Sequence, residues 1–175
     1  MTLWLVPGLF DSGPAHWQRH WQRDRGARVI EQRDWETPHR ADWVATIEAA
    51  VGGDDGPVVL AAHSLGCVTV AHWAAMTGHA GRVRGVLLVA PSDVEAPSYP
   101  PGSVGFDPTP LDPLPFPGRV VASTDDPYVS LERARAFAKA WGAELVVAGA
   151  AGHLNSASGH GPWPEGHGLL AHWLA

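Results

Sequence analysis

The chain has 175 residues, of which 45% are hydrophobic and 17% are charged. This composition excludes a disordered chain, because enough apolar side chains are present to bury a core. The formal net charge is -6, and the 12 Lys and Arg residues are scattered without a basic run. We therefore expect neither nucleic acid nor a membrane surface as a partner, since both attract clustered positive charge. The length suits a single domain over residues 1–175.

Cysteine usage and the N-terminal segment bear on the compartment. Cys67 is the one cysteine, so no disulfide can form within the chain, as is typical of a reducing compartment. The first ten residues, MTLWLVPGLF, contain no basic segment, and Pro7-Gly8 interrupts the apolar run. This stretch therefore predicts a first strand and not a signal peptide. No apolar run reaches the length of a membrane span, and we expect a soluble, cytoplasmic protein.

Apolar, β-favouring segments alternate with helical patterns along the whole chain. The predicted strands cover residues 2–6, 27–32, 58–62, 83–90, 119–124 and 144–148. The predicted helices cover residues 15–25, 41–51, 131–141 and 164–173, with one more directly after Ser64. This alternation predicts a mainly parallel sheet of about six strands with helices on both faces, in a three-layer α/β arrangement. Ligand sites in such sheets lie beyond the carboxyl ends of the strands.

The segment from Pro91 to Gly118 differs in composition from the rest. It contains nine prolines, so no regular helix can run through it. Its apolar side chains favour an ordered loop that packs on the body of the protein. Tyr99 and Phe106 are candidates for one wall of a binding pocket. The short chain leaves little or no room for a cap domain.

Ser64 lies between a predicted strand and a predicted helix, in the sequence Ala62-His63-Ser64-Leu65-Gly66. A serine at a sharp strand-to-helix turn is typical of a nucleophile elbow, in which the residues two positions away are small. Here they are Ala62 and Gly66, so alanine replaces the first of the two usual glycines. An ordinary turn with a surface serine would look the same in this stretch alone.

Two further candidates follow later strands. Asp125 and Asp126 come after the fifth predicted strand, and His153 follows the sixth in a glycine-rich loop. With Ser64 they form the chain order Ser, Asp, His, which is that of an α/β-hydrolase. A serine hydroxyl needs a base to take its proton, histidine has a suitable pKa, and a carboxylate orients the imidazole. Each residue alone has an ordinary structural explanation, but the three types at three strand ends together predict a catalytic triad.

Asp126 is the better candidate for the orienting acid. It opens the run Asp126-Pro127-Tyr128-Val129, which matches a D-x-x-V pattern common after this strand in the fold. Asp125 is then expected to be a loop or capping carboxylate. The predicted triad is Ser64, Asp126 and His153.

The oxyanion that forms during acyl transfer needs fixed N–H donors. The first predicted donor is the backbone N–H of Leu65, at the start of the helix after the serine, where the helix dipole also favours negative charge. The second predicted donor is the backbone N–H of Leu9, with that of Phe10 as the alternative. Both lie in the loop after the first strand, where Gly8 lets the backbone come close to the oxyanion.

Loops at the same end of the sheet supply candidates for the substrate pocket. The four candidates are Phe10, Ser12, Trp35 and Trp163. The two tryptophans could equally pack beneath the loops. His16 is interpreted as a cap of the first helix, with a polar pocket wall as the alternative.

A metal site is not expected. His153, His160, His167 and His172 are close in sequence, but their spacing matches no H-x-x-E-H or Cys/His ligand pattern. Cys67 has a helical core position by pattern and is expected to be buried and unreactive.

Motifs spread over nearly the whole chain resemble those of a known family. They are Pro7-Gly8 with Ser12-Gly13; His16-Trp17-Gln18 with Trp21; Asp34-Trp35 with Pro38; His63-Ser64-Leu65-Gly66; Leu114-Pro115-Phe116-Pro117; Ser123 to Val129; Gly152-His153-Leu154-Asn155; Ser158-Gly159; and Trp163-Pro164-Glu165-Gly166. In these motifs the chain resembles the small α/β-hydrolases of the retinoblastoma-binding protein 9 and YdeN type. The resemblance implies the triad Ser64, Asp126 and His153, a short or absent lid, and no cofactor. It implies no substrate and no retinoblastoma-type partner.

We therefore expect a carboxylesterase-like serine hydrolase that cleaves a small ester, thioester or amide through an acyl-enzyme on Ser64. The substrate would be a small acyl compound, with short acyl groups favoured. The main alternative is an α/β-hydrolase fold that serves as a non-catalytic binding or interaction module. A third possibility keeps the triad for lyase or perhydrolase chemistry, since fold does not determine function.

Overall fold

A computed structural model describes residues 1–175 and contains six strands and six α-helices. The strands are β1 (Thr2–Val6), β2 (Arg28–Val29), β3 (Val58–His63), β4 (Val83–Val89), β5 (Gly118–Ala122) and β6 (Glu144–Val147). The helices are α1 (Trp17–Arg25), α2 (Arg40–Gly52), α3 (Leu65–Ala74), α4 (Leu131–Trp141), α5 (Pro164–Gly168) and α6 (Ala171–Leu174). Short 3-10 turns lie at Ala80–Arg82 and Ser156–Ser158. Each predicted element has a counterpart, with differences at the ends and a break within the last predicted helix.

The strands form one sheet in the order β2-β1-β3-β4-β5-β6, and every neighbouring pair is parallel. This confirms the predicted α/β class with about six strands. The chain moves outward from β1 to β2 and then returns to the other side of β1 as β3. A crevice opens where the strand order reverses in this way, between the carboxyl ends of β1 and β3.

Alternating side chains of the strands enter two separate hydrophobic layers. One layer packs under α2, α3 and α4, and the other packs under α1 and the α5–α6 segment. The first layer receives Trp4, Val6, Leu60, Ala62, Val86, Leu88 and Val120 from the sheet, and the second receives Leu3, Leu5, Val59, Ala61, Leu87, Val89 and Val121. Strands that are buried on both faces have mostly apolar residues at successive positions. This is why β3 and β4 appear in the sequence as nearly continuous apolar segments without apolar–polar alternation.

The final helix differs from its prediction. Residues 164–173 were expected to form one helix, but they form α5 and α6 with a break between them. Gly166 and Gly168 have low helix propensity, and the hydrogen bonds at the break span three residues, from Leu169 to Gly166 and from Leu170 to His167. The side chains of Leu170 and Trp173, on either side of the start of α6, are both buried in the core.

The second predicted strand is also shorter than expected, because only Arg28 and Val29 pair with β1. The proline-rich segment is irregular and ordered, as predicted. Phe106 and Phe116 are buried, and Trp141 Nε1 donates to the carbonyl of Pro110 at 2.8 Å. None of the helices is both long enough and apolar enough to cross a bilayer.

The indole of Trp17 joins α1 to the loop that follows β6. It is fully buried, and its Nε1–H donates to the carbonyl oxygen of Leu154 at 3.0 Å. We predict that Trp17→Phe lowers the free energy of unfolding by about 2–3 kcal/mol, because a buried carbonyl loses its donor. Urea denaturation measures this loss. The control is Trp35→Phe, since the half-buried indole of Trp35 makes no hydrogen bond. Equal losses in the two variants would contradict the role of the Trp17 hydrogen bond.

Candidate active site

Three predicted side chains meet at the carboxyl edge of the sheet. Ser64 Oγ lies 3.0 Å from His153 Nε2, and His153 Nδ1 lies 2.9 Å from each carboxylate oxygen of Asp126. The carboxylate of Asp126 has no solvent exposure, and the imidazole of His153 is 9% exposed. Residues separated by up to 89 positions in the chain thus form one hydrogen-bonded row. A buried carboxylate on Nδ1 holds a proton there, which leaves the lone pair of Nε2 toward the serine hydroxyl.

The turn at Ser64 has the backbone of a nucleophile elbow. Its φ of 57° lies in the left-handed region, which a non-glycine residue occupies only under strain. A Cβ at Gly66 would overlap the carbonyl oxygens of Val6 and Pro7, so this position must be glycine. Ala62 has no such restriction, because its φ is not positive and its methyl group is buried in the core. The alanine in the motif therefore fits the elbow without strain.

The two neighbouring carboxylates occupy different environments. Asp125 Oδ1 accepts hydrogen bonds from Ser123 Oγ at 2.6 Å and from the backbone N–H of Gly152 at 2.8 Å. These bonds, led by that from Ser123, lower the pKa of Asp125. Asp125 thus ties the loop after β5 to the loop that carries the histidine, while Asp126 contacts the imidazole directly.

Contacts on several sides hold His153. Its carbonyl oxygen accepts a hydrogen bond from His63 Nε2 at 2.9 Å, and the ring of Tyr128 packs edge-on at 4.6 Å. The residues on either side, Gly152 and Leu154, both have positive φ. The loop therefore makes two unusual turns to aim the imidazole at Ser64.

Two more histidines line up behind His153. The ring centroids of His16 and His63 are 4.7 Å apart, and those of His63 and His153 are 4.8 Å apart. Burial, followed by the charge of His153, lowers the pKa of His16 to about 3. Burial also lowers the pKa of His63 well below its usual value. Both rings are therefore neutral at pH 7, and His63 Nε2 is the protonated nitrogen that donates to His153.

The predicted oxyanion donors flank the serine. Leu65 is the first residue of α3, so its N–H has no acceptor within the helix. Gly8 lies so close to the elbow that an added Cβ would come within 2.7 Å of Ser64 Cβ. The N–H of Phe10 donates to the carbonyl of Trp35 at 2.9 Å and is already satisfied. Leu9 remains the candidate for the second donor.

A cavity of about 230 Å³ opens onto Ser64 and His153. Its other lining residues are Leu9, Phe10, Asp11, Gly13, His16, His63, Ser92, Tyr99, Pro100, Tyr128, Asn155 and Ser156. Burial raises the pKa of Tyr99 to about 12, so its phenol is protonated at all working pH values. Of the four pocket residues predicted from the sequence, only Phe10 lines this cavity, and its side chain is 63% exposed.

The other three candidates do not line this cavity: the prediction for Ser12 is corrected, and the two tryptophans follow the alternative of packing beneath the loops. Ser12 is buried, and its hydroxyl donates to Gln18 Oε1. Trp35 packs edge-on against Trp43, and Trp163 stacks on Trp21 at 6.0 Å. Large apolar rings near a strand end bury more surface beneath the loops than in a small polar cavity.

Two more expectations about the pocket wall have mixed outcomes. Phe106 is buried in a cluster with Trp43 and does not line the cavity, whereas Tyr99 does. His16 caps α1 by accepting the backbone N–H of Gln18, and it also lines the cavity. Both readings of His16 therefore apply.

Comparison with known proteins identifies the family. A model of the serine hydrolase family matches residues 3–172. The chain belongs to the serine hydrolase family. Among proteins of curated function, none matches this hydrolase.

Solved structures agree with this assignment. A YdeN-like hydrolase from Pectobacterium atrosepticum is 36% identical with a TM-score of 0.85, covering 98% of this chain and 89% of that one. The ydeN gene product of B. subtilis is 18% identical with a TM-score of 0.73, covering 99% and 98%. A thermophilic esterase from Thermogutta terrifontis is 16% identical with a TM-score of 0.70, covering 99% and 89%. The last two show the fold alone, and the first confirms the resemblance to YdeN-type hydrolases.

Sequence reasoning missed three residues of this hydrolase's site: His63, Ser92 and Tyr128. His63 and Tyr128 were read only as parts of motifs. Ser92 is buried, and its Oγ lies 2.8 Å from Ser64 Oγ. It comes two residues after Ala90, the end of the fourth predicted strand. Since ligand sites lie beyond the carboxyl ends of parallel strands, this position could have identified it.

The neutral histidines should make stability depend on pH. Their folded pKa values lie below the usual 6.5, so the unfolded chain takes up protons first as the pH falls. Each such histidine then lowers the free energy of unfolding by about 1.4 kcal/mol per pH unit below about pH 6.5, and His16 does so until about pH 3. We predict that in His16→Asn the free energy of unfolding falls less steeply with decreasing pH, by about that amount. Asparagine is chosen because it keeps the helix cap. Urea denaturation from pH 7 to 4 measures both slopes, and equal slopes would refute the buried neutral state of His16.

Proposed function

We propose that this hydrolase cleaves small esters through a covalent acyl-enzyme on Ser64, with residues 1–175 acting as one catalytic domain. Thioesters and amides are further candidate substrates. The observation that carries the proposal is the continuous row from Ser64 Oγ through His153 to Asp126, at 3.0 Å and 2.9 Å. Membership of the serine hydrolase family also supports hydrolysis through a nucleophilic serine.

In the first step, Ser64 Oγ attacks the carbonyl carbon of the substrate while its proton passes to His153 Nε2. Asp126 accepts a hydrogen bond from the Nδ1–H of the resulting imidazolium and stabilises its positive charge. The buried position of this carboxylate strengthens that interaction, because little water screens it. His153 then protonates the leaving alcohol, and the acyl group stays on Ser64.

The carbonyl oxygen becomes negatively charged in this step. We assign its stabilisation to the backbone N–H groups of Leu65 and Leu9. The start of α3 adds the positive end of a helix dipole at the same place. In the second step, His153 takes a proton from water, the hydroxide attacks the acyl carbon, and Ser64 regains its proton as the acid leaves.

The size of the cavity favours a small substrate. Its volume of about 230 Å³ is below the range of roughly 300–1,000 Å³ typical of pockets for drug-sized ligands. Short acyl groups should therefore fit, whereas long chains should extend past the exposed ring of Phe10 into water. Because one structural relative is an esterase, an oxygen ester is the first substrate to test.

A fluorophosphonate probe tests the nucleophile. We predict covalent labelling at Ser64 in the wild-type chain and none in Ser64→Ala, because the probe reacts with an activated serine. Mass spectrometry of the labelled peptide identifies the site. A folded wild-type chain that resists the probe would refute the mechanism and favour the non-catalytic binding module.

Asp126 and Asp125 form a matched pair for the orienting acid. We predict that Asp126→Asn lowers kcat/KM for a p-nitrophenyl ester by about 10³- to 10⁴-fold, because the wrong tautomer of the imidazole is favoured. Asp125→Asn keeps an oxygen that can accept from Gly152, so the decrease should stay below about 10-fold. Ester hydrolysis under steady-state conditions measures both, and a larger loss in Asp125→Asn would reverse the assignment.

A further inference from the structure

A second hydroxyl group lies against the proposed nucleophile. Ser92 Oγ is 2.8 Å from Ser64 Oγ, and Ser92 is 1% exposed while lining the cavity. Ser64 is its one hydrogen-bonding partner among the side chains. The hydroxyl is therefore desolvated and directed at the atom that would attack the substrate.

The direction of this hydrogen bond follows from counting protons. Asp126 keeps a proton on His153 Nδ1, so Nε2 accepts the single hydroxyl proton of Ser64. Ser64 Oγ then has only lone pairs left for Ser92. Ser92 must donate, and the protons point in one direction from Ser92 through Ser64 and His153 to Asp126.

The backbone holds Ser92 in this place. Ala90, the residue directly after β4, has a φ of 50° and turns the chain toward the elbow of the neighbouring strand β3. The N–H of Ala90 donates to the backbone carbonyl of Val121 at 2.8 Å, and the N–H of Asp93 donates to the backbone carbonyl of Tyr128 at 3.0 Å. Strain of this kind in a buried alanine persists only when the surroundings enforce it, and it clusters at functional sites.

We propose that Ser92 is a further catalytic residue, whose hydroxyl stabilises the oxygen of Ser64 while the bond between that oxygen and the acyl carbon forms and breaks. This inference rests on the proposed acyl-enzyme mechanism. During attack, one lone pair of Ser64 Oγ forms the bond to the acyl carbon, and the other accepts a hydrogen bond from the hydroxyl of Ser92, which keeps its proton.

The second step should depend on Ser92 in the same way. When the tetrahedral intermediate collapses, the electron pair of the broken bond returns to Ser64 Oγ, and His153 delivers the proton. A donor already aimed at this oxygen stabilises its partial negative charge without reorganisation. Hydrogen bonds to charged groups are stronger than those to neutral groups, so the benefit is larger in the transition states than in the resting enzyme.

Burst kinetics with p-nitrophenyl acetate test the proposal, because the burst reports acylation and the steady state reports deacylation. We expect Ser92→Ala to slow both phases by about 10- to 100-fold, with the rate of fluorophosphonate labelling lowered by a similar factor. The control is Ser98→Ala, which removes an exposed hydroxyl from the same proline-rich segment and should leave all three rates unchanged.

A second pair of variants guards against a folding defect in Ser92→Ala. Ser92→Thr and Ser92→Val introduce side chains of nearly the same shape that differ in the hydroxyl group. With both chains folded, as judged by urea denaturation, we expect the threonine variant to be at least about 10-fold faster in both phases. Equal rates in the pair, or wild-type rates in Ser92→Ala, would overturn the role of Ser92.

These outcomes are separable from a failure of the mechanism itself. If the wild-type chain neither shows a burst nor reacts with the probe at Ser64, the proposed function fails and the role of Ser92 fails with it. If the wild type reacts at Ser64 and the hydroxyl at position 92 makes no difference, only the inference about Ser92 is overturned.

Discussion

The close approach of two backbone turns is the constraint on which the site depends. The turn after β1 lies directly against the turn at Ser64, with no side chain between them at Gly8 or Gly66. Contact at this distance places the N–H groups after Pro7 beside the serine and holds its strained backbone in position. The parallel register of β1 and β3, in which Val6 faces Ala62, brings the two turns together. A site at the reversal of strand order thus follows from the topology of the sheet.

Electrostatic differences between like residues define the rest of the site. Asp125 and Asp126 are adjacent in sequence, but one binds loop hydroxyl and amide groups while the other is buried against an imidazole. The histidines differ in the same way. Burial keeps His16 and His63 neutral, so they can pack behind His153 without adding positive charge next to it. The proposed triad therefore has a single imidazole that can exchange a proton with the serine, and a single carboxylate that orients this imidazole and stabilises its charge.

Several interactions that aim the imidazole come from elements far away in the chain. Trp17 in α1 donates to Leu154, His63 in β3 donates to His153, and Asp125 accepts from Gly152. Three separate elements thus determine the path of one loop. This arrangement explains how a short glycine-rich segment with two positive φ angles can present a ring at a defined position.

The sequence by itself determined the class of the fold and the identity of the candidate triad. Continuous apolar runs predicted buried parallel strands, and the spacing of Ser64, Asp126 and His153 after such strands was visible because parallel strands end at one edge. The pocket and the last helix were different. Trp35, Trp163 and Ser12 were predicted to line the cavity, but whether a loop side chain faces a cavity or the core depends on packing between distant segments. Ser92 is a related case: its place after the fourth strand was visible in the sequence, but its contact with Ser64 depends on the turn at Ala90 and was not. Hydrophobic periodicity is a local property and therefore readable in the sequence, whereas the direction of a loop side chain is decided by the tertiary contacts around it.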